Sequence, residues 1–146
     1  MGTAPVEELA MVTSSQASAT VGTGTDIVSV ARIAALVSAG GDRFLRRWFT
    51  EDEIAYCTAR ARPELHLAAR MAAKEAVLKA LRPARDAPLA WRSIEIGRDA
   101  DGAPHVSLDG DVRALAERRG AGPIHVSLSH CDEYAVAVAV ADAAAD

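Results

Sequence analysis

Between Pro63 and Pro83 the chain reads PELHLAARMAAKEAVLKALRP, and this stretch constrains the fold more than any other. Leu67, Met71, Leu78 and Leu81 join many alanines along it, and a proline stands at each end. Proline suits the first turn of a helix and halts one that reaches it. The spacing therefore predicts a helix over about residues 63–82. Half of the 146 residues are apolar but only 4% are aromatic, so close helix packing is expected rather than a large aromatic cluster. The same stretch holds Lys74 and Lys79, the only lysines among 16 basic residues, both within four positions of Glu75.

The length fits one domain with its own core. Residues 1–20 mix Thr, Ser and Ala without period and read as an arm or leader with no structure of its own; the domain is expected over 21–146. TGTDIVSV reads as a strand. ARIAALVSAG follows as a short helix closed by Gly40 and Gly41, with GDRFLRRWF as a second helical piece. Thr50 and Glu53 have the spacing of a capping box and start the helix EDEIAYCTAR. After the long helix, WRSIEIGRD alternates as a strand, Asp101-Gly102 signals a hairpin, and HVSL returns. DVRALAERRG is a short helix closed by Gly120. IHVSLSH and YAVAVAVA are two more strands, the last expected to be central. The order βααα then ββαββ predicts an α+β fold, a mainly antiparallel sheet packed against a long helix.

A net charge of -4 and a pI near 5.5 argue against a general nucleic-acid binder. Charge is unevenly placed, however. Arg43, Arg46 and Arg47 form one basic group, and Arg60, Arg62, Arg70, Lys74, Lys79, Arg82 and Arg85 follow. A local basic surface on an acidic protein points to an anionic ligand or partner. No run reaches membrane-spanning length and no secretion signal is evident, so no membrane role is expected. Cys57 and Cys131 lack a metal or redox spacing; both read as small core residues in a reducing cytoplasm.

Four residues invite chemistry, and each has a plain reading beside it. Glu75 and Lys79 share a helix face: a solvated ion pair, or charges held near the sheet for a purpose that arginine would not serve. Asp26 sits in an otherwise apolar strand, where acids are disfavoured. It is an edge charge or helix cap, or, with Glu75, one of two carboxylates for a hard cation such as Mg²⁺. His130 ends a strand, as a satisfied polar residue or as a neighbour of phosphate or a general base. Ser129 and His130 are adjacent strand residues facing opposite ways, which argues against a nucleophile pair. His66 and His105 read as ordinary polar residues. No glycine-rich phosphate loop is present.

GTDIVSVARI, FTEDEIAYC, AARMAAKEAVLKAL, DGAPHVSL and HVSLSHCDEYAVAVAV occur in this order. The series closely resembles the holo-acyl-carrier-protein synthase family, the short 4'-phosphopantetheinyl transferases, over about residues 21–142. The resemblance implies that fold and its reaction: Mg²⁺-dependent transfer of 4'-phosphopantetheine from coenzyme A to a serine of an apo acyl carrier protein, releasing adenosine 3',5'-bisphosphate. It implies Asp26 and Glu75 as metal ligands, Glu75, Lys79 and His130 as catalytic residues, and Arg62, Arg70, Lys74, Lys79 and His130 as contacts to coenzyme A. It also implies Arg32, Arg43 and Arg46 on a basic first helix that receives the carrier protein, and a homotrimer with sites at subunit boundaries. Lys79 is expected to hold a phosphate, and Lys74 to order Glu75 or pair structurally. Met71 stands where the family usually has an aromatic, a swap close in volume. Arg60 and Arg62 both stand where relatives carry basic residues for the 3'-phosphate. A non-catalytic coenzyme A or carrier-protein binder on the same fold is the alternative; intact Asp26, Glu75 and Lys79 argue against it.

Overall fold

In a computed structural model of the chain, residues 19–145 are described; the expected arm lies outside them up to residue 18. Strand β1 (Thr20–Ser29) leads into α1 (Val30–Trp48), α2 (Glu51–Thr58) and α3 (Pro63–Leu81). The hairpin β2 (Ile94–Arg98) and β3 (Pro104–Leu108) follows, then α4 (Gly110–Arg118), β4 (Ala121–His130) and β5 (Tyr134–Ala143). The predicted order holds. The strands do not form one sheet, however: β1-β5-β4 is one antiparallel sheet, and β2-β3 pair only with each other.

Local signals explain the boundaries. Ser29 caps α1 by accepting from the Arg32 amide. The two expected helical pieces run on as one element broken at Gly41, whose φ of 51° a residue with a side chain rarely adopts. The capping box forms: Thr50 Oγ1 accepts from the Glu53 amide, and Glu53 Oε2 accepts from the Thr50 amide. Pro63 opens α3 in its first turn, and Arg82, in the left-handed region, ends it.

The centre of the molecule is a seam of small residues. On β5, Ala135, Ala137, Ala139 and Ala141 are buried, while Val136 and Val138 between them are exposed on the far face. Ala72, Ala73, Ala76 and Ala80 of α3 close against the alanine face. The fit on β1 is tighter still. A Cβ on Gly24 would fall onto the Ala76 carbonyl, and one on Gly22 onto that of Ala80. Alanine and glycine are thus what let α3 lie directly on the sheet. A second cluster, around Phe49, Val30, Ile33, Leu45 and Leu67, fixes α1 and α2 beside it. Cys57 is buried here, its thiol pushed up to about 11 by burial, whereas Cys131 is exposed in the β4–β5 loop and not a core residue.

Candidate active site

Helix α3 presents two polar stripes, Glu75-Lys79 and His66-Arg70-Lys74. At about 100° per residue, Arg70 and Glu75 point roughly 140° apart around the axis. The two stripes therefore serve different flanks of the helix.

On the β1 flank, Asp26 faces inward from the edge strand. Lys79 Nζ donates to Asp26 Oδ1 at 2.8 Å and to the Thr25 carbonyl at 2.9 Å. Lys79 thus pairs with the strand acid, not with Glu75. The Glu75 carboxyl is raised above its usual range, chiefly by burial and further by the Asp26 charge, with Lys79 opposing. Two carboxylates close enough to repel, with one cation beside them, fit a divalent hard cation that takes its remaining ligands from water and phosphate. Among the described residues no cluster of three His, Cys, Asp or Glu offers a full protein cage. These groups open into a cleft of about 590 Å³ whose other wall is α1, through Arg32, Ile33, Leu36, Phe44 and Trp48. Arg43 is exposed on the same helix. Arg46 is exposed as well and pairs with Glu51 at 3.0 Å.

On the opposite flank, Arg70 is only 5% exposed, and its Nε has no partner. Its guanidinium stacks on the Tyr56 ring at 4.3 Å, and Arg60 stacks on the same ring at 4.2 Å. His66 stands edge-on to both Tyr56 and His130. His130 belongs to this flank. It pairs with Ala135 of β5, which pairs on its other side with Val28, so two strand spacings, roughly 10 Å, part it from β1. Within one chain His130 is not brought to Glu75. Arg62 precedes α3 nearby, its guanidinium held by Asp132 at 2.8 Å and Glu64 at 3.2 Å.

Of the two roles expected for it, Lys74 takes the structural pairing and not the ordering of Glu75. Its Nζ is sealed from solvent, 2.7 Å from Glu53 Oε2, and donates to the carbonyls of Trp48 and Trp91. All three donors are taken, so none remains for coenzyme A, and its carboxylate partner is Glu53 rather than Glu75. Sequence reasoning did not single out Tyr56 or Arg98 and read His66 as an ordinary polar residue. Arg98 comes from β2, distant in sequence, and stands 5.4 Å from the Tyr56 ring; no spacing along the chain announces it.

Residues 22–139 match the sequence profile of the 4'-phosphopantetheinyl transferase superfamily. The holo-[acyl-carrier-protein] synthase of Moorella thermoacetica is 47% identical over 119 residues, 82% of this chain and 91% of that protein. Among solved structures, the holo-[acyl-carrier-protein] synthase of Neisseria meningitidis aligns with a TM-score of 0.75 and 34% identity, over 84% of this chain and 98% of that one. The Helicobacter pylori synthase in complex with coenzyme A aligns at 0.71 and 30%, over 82% and 98%. With the motifs of Asp26, Glu75 and Lys79 set around one cleft, and with these likenesses spanning nearly the whole described chain, the protein belongs to the holo-acyl-carrier-protein synthase family of 4'-phosphopantetheinyl transferases.

Proposed function

We propose that the protein transfers 4'-phosphopantetheine from coenzyme A to a serine of an apo acyl carrier protein, with Mg²⁺ at Asp26 and Glu75, and releases adenosine 3',5'-bisphosphate. The observation that carries this reading is the Asp26–Glu75–Lys79 group at the mouth of a cleft walled by α1. Asp26 and Glu75 would hold magnesium, which would supply positive charge to offset the negative charge developing on the pyrophosphate. Lys79, fixed by Thr25 and Asp26, presents a point charge to a phosphate oxygen. Glu75, lining the same cleft, is placed to take the serine proton. Attack then forms a bond from the serine oxygen to the β-phosphorus of coenzyme A and breaks the bond to the leaving bisphosphate. Positioning and charge carry such a step.

Arg32, Arg43 and Arg46 on α1 steer an acidic carrier to the cleft. Arg60, Arg62, Arg70 and His130 on the other flank receive the 3'-phosphate. The two flanks are parted by α3, so one coenzyme A spans the Asp26 flank of one copy and the Arg70 flank of another. The far face of the sheet, with Ile27, Tyr134, Val136 and Val138 exposed, supplies an apolar surface for a homotrimer. No helix of the described residues is long and apolar enough to cross a membrane. Two unpaired thiols suit the reducing cytoplasm.

Intact mass spectrometry tests the reading. Incubated with apo acyl carrier protein, coenzyme A and Mg²⁺, the enzyme should make the carrier heavier by one phosphopantetheine, and EDTA or Asp26→Ala should prevent it. No shift with fatty-acid or polyketide carriers alike would leave the protein a binder only.

A further inference from the structure

His66 has no task in the reaction as described. It lies one turn before Arg70 on α3, half-buried, with its ring 5.9 Å from that of Tyr56 and 5.8 Å from that of His130. Three guanidiniums gather around the same Tyr56 ring: Arg60, Arg70 and Arg98. Among the described residues, none of these arginines and neither histidine makes an ion pair. The acid nearest in sequence, Glu64, is engaged by Arg62. The buried Arg70 Nε, without a partner, adds an unmet donor to the cluster. Asp52, Glu53 and Glu95 line the cavity beside Arg70 and Arg98, and Glu53 is taken by Lys74; none reaches ion-pair distance of the three guanidiniums, which with the two imidazoles form a socket for an anion.

We propose that His66 is a proton-coupled contact of this socket: it takes a proton from solvent as a phosphate monoester docks among Arg60, Arg70 and His130. This rests on the coenzyme A reading above, in which the monoester is the 3'-phosphate. The charged and titratable groups facing His66 are Tyr56 from α2, Arg60 from the turn after it, Glu64 and Arg70 from α3, Arg98 from β2 and His130 from β4. In the empty socket, burial first and then the charges of His130, Arg70, Arg60 and Arg98 hold the imidazole below its usual range. A phosphate dianion at the same place reverses the sign of the local field and favours the imidazolium. Between the lower, empty midpoint and the higher, filled one, affinity falls as pH rises, by up to about tenfold per unit through His66. The phosphate's own second ionisation acts the other way, but equally in the wild type and in a His66 variant.

The test is an NMR titration of the histidine ring protons, with and without saturating adenosine 3',5'-bisphosphate. The His66 signal is assigned from His66→Phe, or from His66→Gln should the first not fold. The expected result is a His66 midpoint raised by about one unit or more in the complex. Adenosine 5'-monophosphate, which lacks the 3'-phosphate, should leave it in place. His66→Phe should also raise the KM for coenzyme A and flatten its pH dependence. A bound bisphosphate that leaves the His66 midpoint unmoved overturns the proposal and spares the coenzyme A reading. If the bisphosphate does not bind, or binds as well to Arg70→Met, the coenzyme A reading of this flank fails and the proposal with it.

Discussion

Lys74 is sealed from solvent, while Lys79, five positions on, keeps about half of its side chain exposed. Lys74 is lysine for a steric reason. A compact ammonium can send three donors to three separate acceptors in a closed space, which a planar guanidinium cannot. Burial draws the Lys74 pKa down and Glu53 draws it back up. Glu53 also accepts from the Ile96 amide, so this pair joins the α2 cap, the end of α1 and the β2–β3 hairpin to α3. Lys74→Met strands a buried carboxylate and should cost about 3–5 kcal/mol in urea unfolding. Adding Glu53→Gln, which removes the charge and keeps an acceptor for Ile96, should return part of it; no recovery would show that the charge is not what matters. Glu75 behaves oppositely. Its folded pKa lies above the unfolded value, so the folded state holds the proton longer and stability falls as pH rises from the ordinary carboxylate range through the folded value. Glu75→Gln should therefore be more stable than wild type at neutral pH, by thermal unfolding, while losing transfer. Mg²⁺ should raise the wild-type Tm but not that of the variant.

At the scale of elements, much was legible because the signals were local. The prolines around α3, the Thr50–Glu53 box, the Asp101-Gly102 turn and the alternation of β5 each act within a few residues. The central place of β5 followed from its small apolar alternation and holds. The separation of the hairpin from the main sheet was not legible, since strand pairing at long range leaves no mark in either strand alone. Nor was the Lys74–Glu53 pair, which joins residues 21 positions apart on different helices. The candidate site divides likewise. Asp26 stood out as an acid in an apolar strand, while the cluster around Tyr56 draws on α2, α3, β2 and β4 and was assembled by the fold. The α3–β1 contact gives a sharp prediction. Gly24→Ala puts a methyl onto the Ala76 carbonyl and should cost roughly 1–3 kcal/mol, with transfer reduced through displaced Asp26. Unchanged unfolding would mean that β1 can shift away freely.

For the whole molecule, the division of the reactive groups between two flanks predicts how copies cooperate. Val138→Asp, on the exposed face of β5, should yield monomers by sedimentation velocity and abolish transfer, with the fold kept by circular dichroism. Asp26→Asn and Arg70→Met should each be inactive alone, yet regain part of the activity when mixed and reassembled, because some boundaries then carry two intact halves. Mixtures as inactive as their parts would place the whole site within one chain.

The alanine and glycine seam beneath α3 also bears on the gene. Alanine codons begin GC and glycine codons GG. A single G-to-A or C-to-T change in the first two positions of an alanine codon writes threonine or valine, and either adds a branched side chain to the buried face between α3 and β5. A coding strand rich in G and C, which the preference for arginine over lysine also suggests, and a helix seated directly on its sheet thus reinforce each other.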